Sequence, residues 1–208
     1  MTSGNTQWSS IDTAVSVKAR PFLLKPAGKN YLWGGNRLND EYSKDIDMQP
    51  LAETWECSTH PDAPSMVASG DEKGRLLSEV LEEHQEYIGT HPGHFMSYTG
   101  ICGGLPILIK LIDAKKNLSI QVHPNDEFAR KYENGQLGKT EMWYVLDAGR
   151  DTELIYGLYR DTDKETLYQS IQEGRVEKYL QKVKIEKDEV YYVEAGMIHA
   201  VGAGALLL

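Results

Sequence analysis

The chain has 208 residues, which is enough for one sizeable hydrophobic core. It is 40% hydrophobic and 25% charged, as ordinary globular proteins are, and its formal net charge is -9. This charge argues against nucleic acid or an anionic membrane as a partner, although a local basic cluster could still bind an anionic small molecule. Two cysteines are too few for a disulfide framework, and we find neither a signal peptide nor a membrane span, so we predict a cytoplasmic protein.

The first part of the chain is polar, and we expect residues 1–20 to be a poorly ordered segment ahead of one domain at 21–208. From Pro21 onward, short apolar runs alternate with Gly, Pro and Asp, which is typical of strands and turns. The sequence RLLSEVLEEHQEYIG at 75–89 has helical periodicity, and the apolar run LPILIKLIDA at 105–114 predicts a strand buried on both sides.

The stretch LSIQVHPND at 118–126 predicts a strand with two different faces. A period of two places Leu118, Ile120 and Val122 on a packed face. It places Ser119, Gln121 and His123 together on a polar face, and Pro124 then ends the strand. Asn125 or Asp126 can cap a short helix that runs to about Tyr132.

The second half of the chain continues with short elements. Strands are predicted at 140–148 and 153–159, Thr162 and Glu165 form a capping box ahead of a helix, and VEKYLQKV at 176–183 predicts a second helix. Short strands joined by acidic and glycine turns then run to the last residue. Many short strands with a few inserted helices predict a mainly β fold, a sandwich or barrel of the jelly-roll type.

Four side chains in this pattern could hold a metal ion. Gln121 and His123 offer an amide oxygen and an imidazole on one strand face, Glu141 offers a carboxylate on a neighbouring strand, and His199 follows a glycine turn. Two nitrogens and two oxygens suit zinc or a related divalent ion. The alternatives are a hydrogen-bonded loop histidine, a surface Lys139–Glu141 pair and a satisfied core histidine at 199. The apolar neighbours of each position favour the metal site, because an unpartnered imidazole or carboxylate would be costly there.

Five separated motifs, in the same order, resemble those of the type I phosphomannose isomerases of the cupin superfamily. They are PFLLKP with YLWGG, ETWECSTHP, LPILIKLIDA with LSIQVHPND, GKTEMWYVL and AGMIHAVGAG. The resemblance runs from about Pro21 to the last residue. It implies a cupin or jelly-roll β-barrel with inserted helices, and a zinc-dependent aldose–ketose isomerase that interconverts mannose 6-phosphate and fructose 6-phosphate through an enediol.

The resemblance also implies roles for particular residues. The family's zinc ligands correspond to Gln121, His123, Glu141 and His199. Lys139 resembles a lysine that contacts substrate in the family, where it could bind phosphate or take part in proton transfer.

Four further positions are substrate candidates from the residues themselves. Lys110 interrupts an apolar strand, so its ammonium either reaches into the cavity or extends to the strand end. Ser119 shares the face of Gln121 and could bind substrate or orient a ligand. Glu56 and Ser58 either line the rim of the site or make structural cross-strand contacts.

The chain also departs from the family pattern. Glu194 stands where the glycine turn often begins with proline, and Met197 stands where threonine is common. The chain ends in GAGALLL, whereas family members continue with further strands and a later arginine motif. We therefore interpret the domain at 21–208 as an incomplete fragment that lacks C-terminal strands and a second lobe, and we expect weak or absent isomerase activity from these residues alone. We also expect an exposed C-terminal edge at 206–208 through which copies could self-associate.

Two other functions remain open from the sequence. A non-catalytic cupin could bind a sugar or sugar phosphate without isomerising it. An iron-dependent cupin dioxygenase would need an open redox-active site, and the glutamine ligand and the surrounding lysines favour sugar phosphate instead.

Overall fold

The computed structural model describes residues 20–89, 104–134 and 136–208. The predicted N-terminal segment, apart from Arg20, and Cys102 lie outside these ranges. Within them, the α-helices are α1 Arg37–Asp40, α2 Leu77–Glu83, α3 Asp126–Tyr132 and α4 Lys164–Gln172. The strands are β1 Leu24–Lys25, β2 Ala27–Lys29, β3 Glu53–Cys57, β4 Met66–Val67, β5 Ile109–Asp113, β6 Glu141–Ala148, β7 Glu153–Leu158, β8 Leu180–Lys184, β9 Val190–Val193, β10 His199–Val201 and β11 Ala205–Leu207.

The strands form antiparallel sheets, which agrees with the prediction of a mainly β fold. A six-stranded sheet has the order β2-β3-β5-β11-β6-β9, and a three-stranded sheet has the order β10-β7-β8. β1 and β4 form a separate pair. This is the predicted architecture, with strands from distant parts of the chain adjacent in each sheet and helices inserted between them. No helix in the described part of the chain is long and apolar enough to cross a membrane.

The main hydrophobic core lies between the two larger sheets. The six-stranded sheet contributes Ile112, Trp143, Val145 and Leu207, and the three-stranded sheet contributes Leu154 and Val201. A smaller cluster on the outer face of the six-stranded sheet packs Leu206 and Leu111 against Leu38 of α1 and Leu51. The sheet is therefore covered on both faces at its centre.

The strand register sorts charged residues onto the inner face of the six-stranded sheet. Glu53 lies opposite Ile112, and Trp55 lies opposite Lys110. Since directly opposite residues share a face, these side chains point to the same side as the core residue Ile112. Glu141 shares this face too, because it lies two and four residues from Trp143 and Val145 in β6.

The expectation of an exposed C-terminal edge is wrong. β11 lies between β5 and β6 and pairs with both of them. Leu206 and Leu207 are fully buried, one in each core cluster, and Leu208 is 43% exposed. The last described strand is thus central in its sheet, and the surface proposed for self-association is not an open edge.

The predicted strand at 118–123 is replaced by an irregular segment. Leu118 donates to the carbonyl of Val201, and Gln121 exchanges two hydrogen bonds with His199. The first segment advances three residues between these contacts, from Leu118 to Gln121, while the second advances two, from Val201 to His199. The extra residue forms a bulge, which breaks the period of two. Leu118 packs against the core as predicted, but Ile120 and Val122 are 38% and 52% exposed, contrary to prediction.

Two helix predictions need correction, and one is confirmed. Asn125 caps α3 by accepting from the N–H of Phe128. Asp163, rather than Thr162, caps α4 by accepting from the N–H of Thr166, because aspartate is a better N-cap than the threonine before it. The predicted helix at 176–183 is a 3₁₀ turn followed by β8, because pairing with β7 outweighs local helical propensity.

The central position of β11 predicts a large effect of truncating its side chains. Leu206→Ala should lower the free energy of unfolding by about 2–5 kcal/mol, since it opens a cavity in a fully buried site. Chemical denaturation measures the change. Leu32→Ala is the control, because Leu32 is 88% exposed and its truncation should leave stability almost unchanged. Equal stability of the two variants would contradict the placement of β11.

Candidate metal centre

Backbone hydrogen bonds tie together the three segments that carry the predicted ligands. Gln121 N donates to His199 O, and His199 N donates to Gln121 O, both at 2.9 Å. Gly196 N donates to His123 O at 2.7 Å, and Lys139 N donates to Pro124 O at 3.0 Å. The segments are far apart in sequence, so these bonds position their side chains relative to one another before any ligand binds.

Two glycines make this backbone arrangement possible. Gly196 has a φ of 93°, in the left-handed region that favours glycine, and its N–H faces the carbonyl of His123. At Gly138 the constraint is space, because an added Cβ would lie 2.4 Å from the carbonyl carbon of Asn125 and 2.5 Å from the nitrogen of Asp126. The segment leading to Glu141 can therefore pack directly on the backbone after Pro124.

Three of the predicted ligands converge at one point. His123, Glu141 and His199 each offer a ligand atom, and these atoms lie within 4.8 Å of one another. Glu141 Oε2 is 3.3 Å from His199 Nε2 and 3.5 Å from His123 Nε2. Gln121 lies opposite His199 in the backbone pairing, and directly opposite residues project to the same face. The side chain of Gln121 therefore projects to the same face as the His199 imidazole.

The cluster fits a cation because two of its buried atoms otherwise have no partner. His199 Nδ1 lies 2.8 Å from the carbonyl oxygen of Met197, which can only accept, so Nδ1 carries the proton and Nε2 presents a lone pair. Both this Nε2 and Glu141 Oε2 are buried without a hydrogen bond to any described residue. Two acceptors facing each other at 3.3 Å are costly, and a metal ion between them would satisfy both.

The orientation of His199 does not depend on the side chain at position 197. Its Nδ1 partner is the main-chain carbonyl of Met197, while the Met197 side chain packs against the main core. Trp143 meets the His199 ring edge-on, with 5.5 Å between centroids. The methionine that departs from the family pattern is therefore compatible with an oriented ligand.

The electrostatics keep the donor atoms free of protons at neutral pH. Burial alone would raise the pKa of Glu141, but the Lys139 ammonium, 2.8 Å from Oε1, outweighs burial and holds that pKa below its usual 4.5. Burial and the charge of Lys139 lower the pKa of His123 below its usual 6.5, against the opposing effect of Glu141. A metal ion would not have to displace a proton from either group.

Both lysines predicted to contact substrate lie near the cluster. Lys139 Nζ is 2.8 Å from Glu141 Oε1 and 3.1 Å from His123 Nε2. Lys110 is on the inner sheet face, where its charge also acts on His123 and its Nζ lies 3.1 Å from Glu53 Oε1. The register directs the Lys110 side chain to the inner sheet face, while its contact with substrate stays a prediction.

The remaining three predicted residues are placed differently. Ser119 is exposed in the irregular segment two residues before Gln121. Glu56 follows Trp55 on the outer face of β3, pairs with Lys44 at 2.8 Å and is not brought to the cluster. Ser58 is fully buried, and its Oγ accepts from the backbone N–H of His60. Substrate contact by these three residues stays a prediction.

The sequence interpretation overlooked Glu53, a buried carboxylate that holds Lys110. A signal for it was present, because a period of two places Glu53 on the same face of β3 as Trp55. The indole N–H of Trp55 donates to its other oxygen. A carboxylate on the apolar face of a strand is the kind of residue that needs a partner.

The fold and the cluster together define a metal-binding β domain of the cupin type. A family model for the type I phosphomannose isomerase catalytic domain matches residues 22–173, and the chain belongs to this family. His199 lies beyond the matched range, so its place in the cluster comes from the structure and not from the family model.

Named relatives and a solved structure agree with this assignment. The chain is 40% identical over 192 residues to mannose-6-phosphate isomerase ManA of Bacillus subtilis, covering 92% of this chain and 58% of the relative. It is 37% identical over 190 residues to mannose-6-phosphate isomerase of Streptococcus mutans, covering 91% and 57%. A crystal structure of the Bacillus subtilis mannose 6-phosphate isomerase matches with a TM-score of 0.80 at 39% identity, covering 90% and 56%. The chain thus spans less than two thirds of the length of these relatives.

The close approach at Gly138 predicts that a single methyl group weakens metal binding. Gly138→Ala should force the Glu141 segment away from the backbone after Pro124 and lower the affinity for a divalent metal about tenfold or more, as disturbed ligand support typically does. Isothermal titration with metal measures the affinity. Gly149→Ala is the control, because its Cβ would meet mainly the Thr152 hydroxyl at 3.0 Å, away from the ligands. Equal affinities would contradict the proposed role of the packing.

The lowered pKa of Glu141 predicts a pH-dependent contribution to stability. An acid with a depressed pKa stabilises the fold above its usual value of 4.5, and this contribution is lost as the pH falls toward the lowered folded value. With a chelator present, the free energy of unfolding of wild type should fall more steeply than that of Glu141→Gln between about pH 5 and about pH 3. Denaturant titrations across this range measure it, and parallel curves would contradict the ionised, paired carboxylate.

Proposed function

We propose that this chain forms the metal-binding part of an aldose–ketose isomerase that interconverts mannose 6-phosphate and fructose 6-phosphate. The observation that carries the proposal is the convergence of His123, Glu141 and His199 with two buried acceptor atoms that lack a partner. The names of the relatives supply the substrate, and the site supplies a compatible chemistry. We propose a cytoplasmic location, consistent with the composition of the chain.

We propose zinc as the metal and Gln121 as the fourth ligand. Two imidazole nitrogens with a carboxylate oxygen and an amide oxygen form a mixed set that a borderline-soft divalent ion accepts. One ion would be held by Gln121, His123, Glu141 and His199. When bound, zinc acts as a Lewis acid that polarises the substrate's carbonyl oxygen and stabilises the negative charge developing in an enediol.

The surroundings of the cluster support an anionic substrate. The whole chain has a net charge of -9, yet the ammonium groups of Lys139 and Lys110 both act on His123. Each ammonium is paired with a carboxylate, Lys110 with Glu53 and Lys139 with Glu141. With a divalent ion bound, the site would therefore carry a net positive charge, opposite to that of the chain as a whole. A sugar phosphate, rather than a neutral sugar, gains most from this arrangement.

We assign Lys139 to substrate contact during proton transfer between C1 and C2. One of its three N–H donors is directed at Glu141 Oε1, and once a metal ion uses the lone pair of His123 Nε2 the other two are left for substrate oxygens. Its side chain is 43% exposed, so a substrate can reach it. Glu141 therefore serves twice, through Oε2 toward the metal and through Oε1 as the anchor of this ammonium. Ser119 is a further candidate contact on the exposed side.

The proposed function predicts that metal binding and substrate binding are lost together. The chain should take up one zinc ion, bind mannose 6-phosphate in the zinc-loaded form and produce fructose 6-phosphate. His199→Gln should remove all three properties, because it deletes a buried ligand. Metal analysis, calorimetry and a coupled assay for fructose 6-phosphate measure them.

The matched control is His84→Gln, since the His84 ring stacks on Tyr87 and lies beside Glu72 and Glu86, none of which belongs to the proposed site. It should behave as wild type in all three measurements. Absence of mannose 6-phosphate binding to the zinc-loaded chain would contradict the proposed substrate. Binding without any product would instead favour the non-catalytic sugar-phosphate-binding function.

A further inference from the structure

Glu53 is a buried carboxylate with both oxygens engaged. It is 5% exposed and lies at the start of β3. Oε1 accepts from Lys110 Nζ at 3.1 Å, and Oε2 accepts from the indole N–H of Trp55 at 2.8 Å. The side chain therefore links its own strand to β5 next to the metal centre.

The register explains how one carboxylate reaches both partners. Trp55 is two residues from Glu53 on the same face, and Lys110 lies directly opposite Trp55. Lys110 is thus the diagonal neighbour of Glu53, a distance that long side chains span in antiparallel sheets. The Trp55 ring is held in turn by the Lys29 ammonium 4.9 Å from its centroid and by the edge of His60. Glu53 consequently has little freedom to turn away from Lys110.

Stability alone does not account for a charged pair at this place. Removing a carboxylate and an ammonium from water costs free energy that their attraction only partly offsets, and apolar replacements of buried ion pairs are often as stable or more so. The adjoining inner face of the sheet is packed with apolar residues such as Ile112 and Leu207, so an apolar pair would extend the core. A role of the Lys110 ammonium at the metal centre explains the buried Glu53–Lys110 pair better than stability does.

We propose that Glu53 is a positioning residue that fixes the Lys110 ammonium on the inner sheet face, so that its remaining N–H donors serve the anionic oxygens of the substrate. This inference rests on the proposed function for the identity of the substrate. It assigns Glu53 no contact with substrate or metal. Lys110 uses one donor on Glu53, and its side chain is 22% exposed, so its other donors are accessible from the site.

The first test needs no substrate. Brief acetylation with acetic anhydride, followed by peptide mass spectrometry, reports how freely each lysine reacts. Glu53→Gln should increase the modification of Lys110 several-fold relative to Lys25, an exposed lysine of β1 that serves as the internal reference. Glu153 is a second strand glutamate beside a lysine, 3.9 Å from Lys182 Nζ. Glu153→Gln is the matched control and should leave Lys110 unchanged. An unaltered Lys110 reactivity in Glu53→Gln would overturn the positioning role.

The second test measures mannose 6-phosphate binding to the zinc-loaded chain. Glu53→Gln and Lys110→Met should each weaken binding by about tenfold or more, the effect of losing one hydrogen bond to a charged group. The double variant should bind no more weakly than Lys110→Met, because the two residues act through one ammonium. Zinc stoichiometry should stay at one ion per chain in every variant. Losses that multiply in the double variant would mean that Glu53 acts independently, and would overturn the proposal.

A second substitution covers the case in which Glu53→Gln does not fold. Glu53→Asp keeps the charge but shortens the side chain, so Lys110 should again react faster with acetic anhydride, and substrate binding should lie between wild type and Lys110→Met. Wild-type reactivity in a folded Glu53→Asp protein would overturn the inference. If Lys110 responds as expected but wild type does not bind mannose 6-phosphate, the proposed function fails while the positioning of Lys110 by Glu53 stands.

Discussion

The structure of the site depends on one unfavourable contact. Glu141 Oε2 and His199 Nε2 are both buried acceptors, 3.3 Å apart, and neither has a hydrogen bond with the described residues. His199 Nδ1–H donates a hydrogen bond to the carbonyl of Met197, so the other ring nitrogen faces the carboxylate with its lone pair. Without a ligand between them, two buried acceptors in contact destabilise the fold. A divalent cation, with His123 as a further donor, turns the same arrangement into a satisfied coordination site.

The fold supports this contact through the division of one sheet face into apolar and charged parts. At the centre of the six-stranded sheet, Ile112 and Leu207 pack against the three-stranded sheet and provide the main core. Beside them, on the same face, the register places Lys110 and Glu141, and backbone hydrogen bonds bring in the segments of His123 and His199. The rigid core therefore serves as the platform on which the charged groups are held. Strand register places Glu141, His199 and Lys110. Backbone hydrogen bonds place the irregular segments that carry Gln121, His123 and Lys139.

Much of the site could be predicted from the sequence, and the errors have identifiable physical causes. His123 and Glu141 were predictable because a polar face in an apolar context demands a partner, and the family motifs fixed their roles. The prediction that Val122 packs in the core was wrong, because a bulge inserts one residue and ends the alternation on which the prediction relied. The burial of Leu206 was missed because the neighbours of a strand are decided by long-range pairing, which local pattern does not contain. Glu53 was overlooked although its alternation with Trp55 was visible.

The most direct test of the account is an X-ray absorption spectrum of the zinc-loaded chain, recorded at the zinc edge together with that of His199→Gln. The account predicts a first shell of nitrogen and oxygen donors without sulfur, with multiple scattering from two imidazole rings in wild type that falls to one ring in the variant if any zinc is retained. A wild-type spectrum with sulfur donors, or one whose imidazole contribution is unchanged by the substitution, would show that the metal binds elsewhere and would contradict the central claim.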